Sequence, residues 1–88
     1  MSVNRKNELL ALSIAEASVR PDGYLTVPRS FGVYRILART GTSRRYRFGN
    51  HPVRRLELNR EFGATTLEAL FTDRRIAEEL AKLFNTGK

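Results

Sequence analysis

The feature that most constrains this chain lies in its middle, where two runs rich in β-branched and aromatic residues flank Gly-Thr-Ser at positions 41–43. Runs of this kind joined by a short glycine-containing connection are typical of a β-hairpin. We therefore predict one strand over Val33–Thr40, a second over Arg44–Phe48, and antiparallel pairing between them.

Proline, glycine and capping residues divide the rest of the chain into short elements. Pro52 suits the first turn of a helix, and Gly63 suits the left-handed residue after its end. Residues 20–23 (Arg-Pro-Asp-Gly) favour a type I turn. The turn leaves two alternatives for the segment before it: the end of a first helix, which we favour, or a strand over Leu12–Val19. The predicted elements are a helix from Asn4 or Asn7 to about Ser18, a strand over Tyr24–Val27, a turn over Ser30-Phe31-Gly32, the hairpin, a helix from Asn50 or His51 to Gly63, a strand over Ala64–Phe71, and a helix from Thr72 or Asp73 to about Asn85.

The last helix has the clearest periodicity. Five apolar residues fall on one stripe about 100° wide, as in a helix packed on a core: Ile76, Ala77, Leu80, Leu83 and Phe84. The opposite side predicts ion pairs between Arg74 and Glu78, Arg75 and Glu79, and Glu78 and Lys82, because these pairs are four residues apart. We expect that side to be solvated and without function.

These elements predict an α+β domain of order α-β-β-β-α-β-α. A chain of 88 residues is expected to form a single compact domain over 1–88, with frayed ends near 1–4 and 86–88. The hairpin and the short connections favour a small antiparallel sheet of three to four strands with helices packed on one face.

Composition argues against several function classes. There is no cysteine, which excludes disulfides, a thiolate nucleophile and a cysteine zinc site. The single histidine, His51, is expected to be a cap or surface residue, and no phosphate-binding loop or nucleophile motif is present. No apolar run reaches the ~18 residues needed to cross a bilayer. We therefore predict a cytoplasmic protein of bacterial style that is not an enzyme and takes no cofactor or metal.

Positive charge is concentrated in the middle third. The chain carries a net charge of +7, and the segment from Arg29 to Arg60 holds nine arginines and one acid, Glu57. That segment therefore accounts for all of the excess. Such a field attracts polyanions, and guanidinium groups bind phosphates in a bidentate manner.

Alternation along the hairpin predicts how these charges are arranged. Because successive side chains of a strand point to opposite faces, Tyr34, Ile36 and Ala38 should share a face with Tyr46 and Phe48. Arginines should dominate the other face: Arg35, Arg39, Arg45 and Arg47. Like charges across a ladder repel, so such a face requires either an anionic ligand such as nucleic-acid phosphate or acids of the chain itself that fold over it: Glu8, Glu16, Glu68 or Glu78.

We accordingly predict a small nucleic-acid-binding domain that contacts phosphate through seven arginines: Arg35, Arg39, Arg44, Arg45, Arg47, Arg54 and Arg55. A second use of the hairpin would expose Tyr34, Tyr46 and Phe48 as a platform on which bases stack. The alternative function is a protein-interaction module, such as a small accessory or inhibitor protein of a mobile element. It would bind an acidic protein surface or form a homodimer. Val53 and Leu56 motivate it, because they lie opposite Leu58 and Phe62 on their helix. Either this helix is covered on two sides, or one apolar pair is available to a partner.

Overall fold

The computed structural model describes residues 4–15, 30–37 and 45–86, and the fold is that of these ranges. It is an α+β fold in which helices pack against one antiparallel sheet, so the predicted fold class is confirmed. None of the helices in these ranges is long and apolar enough to cross a membrane. In chain order the elements are α1 (Arg5–Leu10), β1 (Phe31–Ile36), β2 (Tyr46–Asn50), α2 (Val53–Phe62), β3 (Thr65–Phe71) and α3 (Arg74–Thr86).

The sheet has the strand order β2-β1-β3, and both neighbours run antiparallel to β1. The predicted hairpin is confirmed in β1 and β2. On the other side of β1, Val33 pairs with Ala69 and Tyr34 pairs with Leu67, so Glu68 is an extra residue on β3. The predicted strand Tyr24–Val27 and the connection at 41–43 lie outside the described residues.

One face of the sheet holds the main core. Val33, Ala69 and Phe71 are buried there against Ala77, Leu80 and Ala81 of α3 and Leu9 of α1. The predicted stripe of α3 is thus confirmed as its packing face. Arg5 of α1 donates two hydrogen bonds to Glu79 of α3, at 2.7 and 3.1 Å. These bonds lower the pKa of the Glu79 carboxyl, and they fasten a six-residue helix to its neighbour.

The second helix lies over the other face of the sheet. The Arg47 guanidinium of β2 stands 5.5 Å from the ring centre of Phe62 on α2. On the other edge strand, β3, Thr65 donates a 2.7 Å hydrogen bond from its hydroxyl to the Asn59 side chain of α2. The prediction that helices pack on one face of the sheet therefore holds for α1 and α3. Helix α2 packs on the opposite face.

The first helix is shorter than predicted. It ends at Leu10, so the prediction of helix to about Ser18 is wrong over 11–15, and the rest of that prediction lies outside the described residues. The cause is the outer edge of β3: Ile14 donates its backbone N–H to the carbonyl of Leu70, and Leu70 donates to the Ser13 hydroxyl. These bonds replace the helical ones. The strand alternative for 12–19 extends beyond the described residues from position 16.

The predicted turn over Ser30-Phe31-Gly32 is also wrong, because Phe31 and Gly32 belong to β1. Glycine is needed at position 32 for space rather than for a turn. A Cβ there would overlap the hydroxyl end of the Tyr34 ring, which lies over it on the same face of the strand.

Helix ends follow the sequence signals more closely. Asn4 caps α1 by accepting from the Lys6 N–H, Gly63 follows α2 with a φ of 97°, and Asp73 accepts from the Arg75 N–H at the start of α3. Of the predicted ion pairs on α3, Glu78–Lys82 forms, at 3.6 Å. Arg74 does not pair with Glu78, because its guanidinium lies over the Phe48 ring, and Arg75 does not pair with Glu79, because Glu79 pairs with Arg5 and Arg75 with Asp73.

Substituting Gly32→Ala should lower the free energy of unfolding by about 1–3 kcal/mol, since the new methyl group must displace a fully buried ring. Urea denaturation measures this loss. In a Tyr34→Leu background, which lacks the ring atoms that the methyl group meets, the same substitution should cost much less. An equal cost in both backgrounds would contradict the contact.

Candidate binding site at the edge of the sheet

The register between β1 and β2 differs by one residue from the predicted arrangement. Tyr34 pairs with Arg47, and Arg35 pairs with Tyr46. Directly paired residues share a face, so the predicted separation into an aromatic face and an arginine face is wrong. Arg35 and Arg47 point to opposite sides of the sheet, because a slip of one residue exchanges the faces of a whole strand.

The predicted arginines therefore lie in several environments. Arg35 is 3.4 Å from Glu68, and Arg55 donates to the backbone carbonyl of Thr65. Arg45 is exposed immediately before β2, with Arg47 on the same side of that strand. Arg54 projects from the first turn of α2 and pairs with Glu57 at 3.2 Å. Arg39 and Arg44 lie outside the described residues.

The three predicted stacking residues do not form an exposed platform. Tyr34 is fully buried and lies on the face opposite to Tyr46 and Phe48. Tyr46 is stacked on Phe84 of α3, with ring centres 4.6 Å apart, and Phe48 is half-buried against the core with the Arg74 guanidinium 5.5 Å from its ring centre. The core uses these rings because they are among the few large apolar groups that face α3.

His51 is neither a helix cap nor a surface residue, which corrects the sequence expectation. It is buried, and its Nδ1 lies 2.9 Å from the Tyr34 hydroxyl. Pro52 precedes α2 as the capping residue, with no side-chain capping bond. Tyr34 thus joins the sheet to the residue that leads into α2, and this contact fixes where α2 begins relative to β2.

The register also determines which backbone groups of β2 face away from β1. Ile36 donates its N–H to Arg45, and His51 donates its N–H to Ser30. Because hydrogen-bonded and non-hydrogen-bonded pairs alternate in an antiparallel ladder, the residues that bond to β1 are the odd-numbered ones. The N–H and C=O groups of Tyr46, Phe48 and Asn50 therefore point toward the free edge of the sheet.

A side chain from α3 already occupies one of these edge positions. Asn85 accepts from the Tyr46 N–H at 2.9 Å and donates to the Tyr46 carbonyl at 3.0 Å. The side-chain amide thereby makes the same two hydrogen bonds that a peptide group of a neighbouring strand would make. No bond inside the described ranges reaches the outward backbone groups of Phe48 and Asn50, so none of the described residues pairs with the edge at these two positions.

A groove of about 400 Å³ runs along this edge, between β2 and α3. We call it the edge groove. Tyr46, Phe48 and Ala81 give it an apolar floor, and Arg47, Arg54 and Lys82 supply its positive charge; Glu78, Asn85 and Thr86 complete the lining. The side of α3 that the sequence predicted to be without function therefore borders the groove through Glu78 and Lys82.

Cations outnumber acids at the groove. Arg47, Arg54 and Lys82 line it, whereas Glu78 is the acid in the lining and already contacts Lys82. Arg54 is held in place by its aliphatic stem, which packs on the backbone of Gly49: a Cβ at Gly49 would lie 2.6 Å from the Arg54 Cγ. The charged head is thereby fixed beside β2, although Glu57 engages part of it.

Sequence reasoning identified Arg47 and Arg54 but missed Asn85 and Lys82. Both lie at the C-terminal end of α3, about 35 residues from β2 in the chain, and no local pattern marks their approach to the strand. Among the residues the structure describes, no three His, Asp or Glu side chains come together in a way that could hold a metal ion. No protein-family model, curated protein or solved structure matches the chain.

Hydrogen exchange should reveal the open edge in the free protein. The amides of Arg47 and Gly49 bond to β1 and should be protected, whereas those of Phe48 and Asn50 should exchange about 100-fold faster or more, although they belong to the same strand. Exchange followed by ¹⁵N–¹H NMR measures this alternation. Uniform protection from residue 47 to residue 50 would contradict an open edge.

Proposed function

We propose that this chain is a non-enzymatic protein-interaction module that holds an acidic segment of a partner protein in the edge groove. The observation that carries the proposal is the combination, in one place, of an apolar floor, a cationic lining and a strand edge with which no described residue pairs at Phe48 and Asn50. An extended peptide offers backbone groups for the edge, side chains for Tyr46 and Phe48, and carboxylates for Arg47 and Arg54.

Two exposed apolar side chains add support for a protein partner. Val53 and Leu56 of α2 are 57% and 62% exposed, as the sequence predicted for a face left to a partner. Apolar groups beside arginine and aromatic residues are typical of the energetically important parts of protein interfaces.

The arrangement of arginines weakens the case for phosphate contacts across a sheet face. Arg35 and Arg47 lie on opposite faces, and four of the predicted arginines contact an acceptor of the chain itself: Arg35, Arg47, Arg54 and Arg55. Internal contacts of this kind reduce the charge available to a polyanion. An acidic segment bound in the edge groove requires only the cations that line the groove beside β2.

Nucleic-acid binding is the second candidate, and one observation favours it. Arg45 and Arg47 alternate on the same side of β2, and the Arg54 stem covers Gly49 on that side, so three guanidinium groups flank one strand. Single-stranded nucleic acid bound there should weaken steeply with salt, with a log–log slope of about −0.7 per phosphate neutralised.

Selection from a phage-displayed library of random twelve-residue peptides tests the proposal. With the full chain immobilised, selected sequences should be enriched in Asp and Glu, and their synthetic forms should bind about ten-fold more weakly to Arg47→Gln/Arg54→Gln. Arg60→Gln/Arg75→Gln is the matched control, because it removes the same charge at exposed residues outside the groove. It should bind almost as the unsubstituted chain does.

The opposite outcomes are equally definite. Selection of basic or uncharged peptides, or equal weakening by both double variants, would remove the acidic-segment proposal. A 20-nucleotide single strand that binds more tightly than any selected peptide at equal ionic strength, and depends on Arg47 and Arg54, would establish the nucleic-acid function in its place.

A further inference from the structure

We propose, building on the proposed function, that the acidic partner segment docks as an additional β-strand beside β2. It pairs with the backbone of Phe48 and Asn50, and Asn85 stops it from pairing with Tyr46.

The outward backbone groups of β2 are able to pair with a further strand. The ladder to β1 is completed by Tyr34–Arg47 and Gly32–Gly49, so Phe48 and Asn50 each direct one donor and one acceptor outward. An exposed edge of this kind is a template for another strand, and natural proteins usually block it with charges, bulges or a covering segment. Here the described residues cover only the first outward position of β2, at Tyr46.

Asn85 gives the site a defined end. Its amide bonds to both backbone groups of Tyr46, in the manner of a peptide unit of a neighbouring strand. A docking strand that continued past Phe48 would have to displace this side chain from α3. The docked segment is therefore short, with two outward pairing positions, and its register is fixed from one side.

A second copy of this chain fits the edge poorly. Pairing two β2 strands with Phe48 opposite Asn50 would place the two-fold axis at Gly49, over which Arg54 lies, so the two Arg54 side chains would meet. Pairing with Phe48 opposite itself would place Asn50 of one copy against Tyr46 of the other, where Asn85 is already bound. Like charge opposes the first arrangement and the capped backbone opposes the second, whereas an acidic strand meets neither obstacle.

Hydrogen exchange of the complex tests the docking mode. The probe is the synthetic form of the most enriched acidic peptide from the library selection, added to the full ¹⁵N-labelled chain. The Phe48 and Asn50 amides should become protected by at least about ten-fold, while the amide of Tyr46 should stay unchanged. In Asn85→Ala the Tyr46 amide should become a third protected position, because the strand can then extend.

A proline substitution provides the matched pair of variants. Asn50→Pro removes an outward N–H without breaking the ladder to β1, and Asn50→Ala removes the same side chain but keeps the N–H. The peptide should bind about ten-fold more weakly to Asn50→Pro than to Asn50→Ala. Urea denaturation of both variants identifies any difference that arises from folding.

The possible outcomes separate the two proposals. Binding that depends on Arg47 and Arg54, with no protection of Phe48 and Asn50 and equal affinity of the two position-50 variants, would overturn strand docking and leave the proposed function standing. Failure to select acidic peptides would overturn both. Dimerisation of the free chain that Asn50→Pro abolishes would assign the edge to a second copy and overturn the inference.

Discussion

Val33 pairs with Phe48 across the β1–β2 ladder, and this register governs most of what the molecule can do. It sends Phe48 and Tyr46 to the face that α3 covers, and it sends Arg47 to the face that α2 covers. Shifting the pairing by one residue would turn Arg47 toward α3 and would move both aromatic rings to the face that α2 covers, away from Phe84 and the main core. Because the free energy of burying two aromatic side chains is several kcal/mol, the core selects the observed register strongly.

The same register determines the backbone chemistry of the sheet edges. With odd-numbered residues of β2 bonded to β1, the even-numbered ones face outward, and α3 meets the first of them with Asn85. On the opposite edge, Ser13 and Ile14 bond to Leu70 of β3. Both edges thus receive a polar contact from a neighbouring segment, but on β2 the contacts within the described part of the chain reach Tyr46 and not the outward backbone groups of Phe48 and Asn50.

The fold class, the hairpin, β3 and the packing face of α3 could be predicted because each depends on a pattern within about a dozen residues. The distribution of arginines over the two faces could not be predicted, because it depends on the register of the hairpin. That register depends in turn on how many residues form the turn of the hairpin. Two plausible turns that differ by one residue place Tyr46 on opposite sides. The burial of His51 was missed for a related reason: its partner, Tyr34, lies 17 residues away on another strand.

Arginine in this chain has a structural use that its contribution to net charge conceals. Arg5 fastens α1 to α3, Arg35 contacts Glu68 at the irregularity of β3, and Arg55 donates to the backbone of Thr65. A bidentate, permanently charged group suits such contacts between short elements in a small domain, where apolar burial is limited. A count of arginines therefore overstates the surface available to a polyanion. More informative is the number of arginine side chains whose guanidinium groups lie beside the β2 edge. That number is small, so it suits the carboxylates of one extended peptide better than a long run of phosphates.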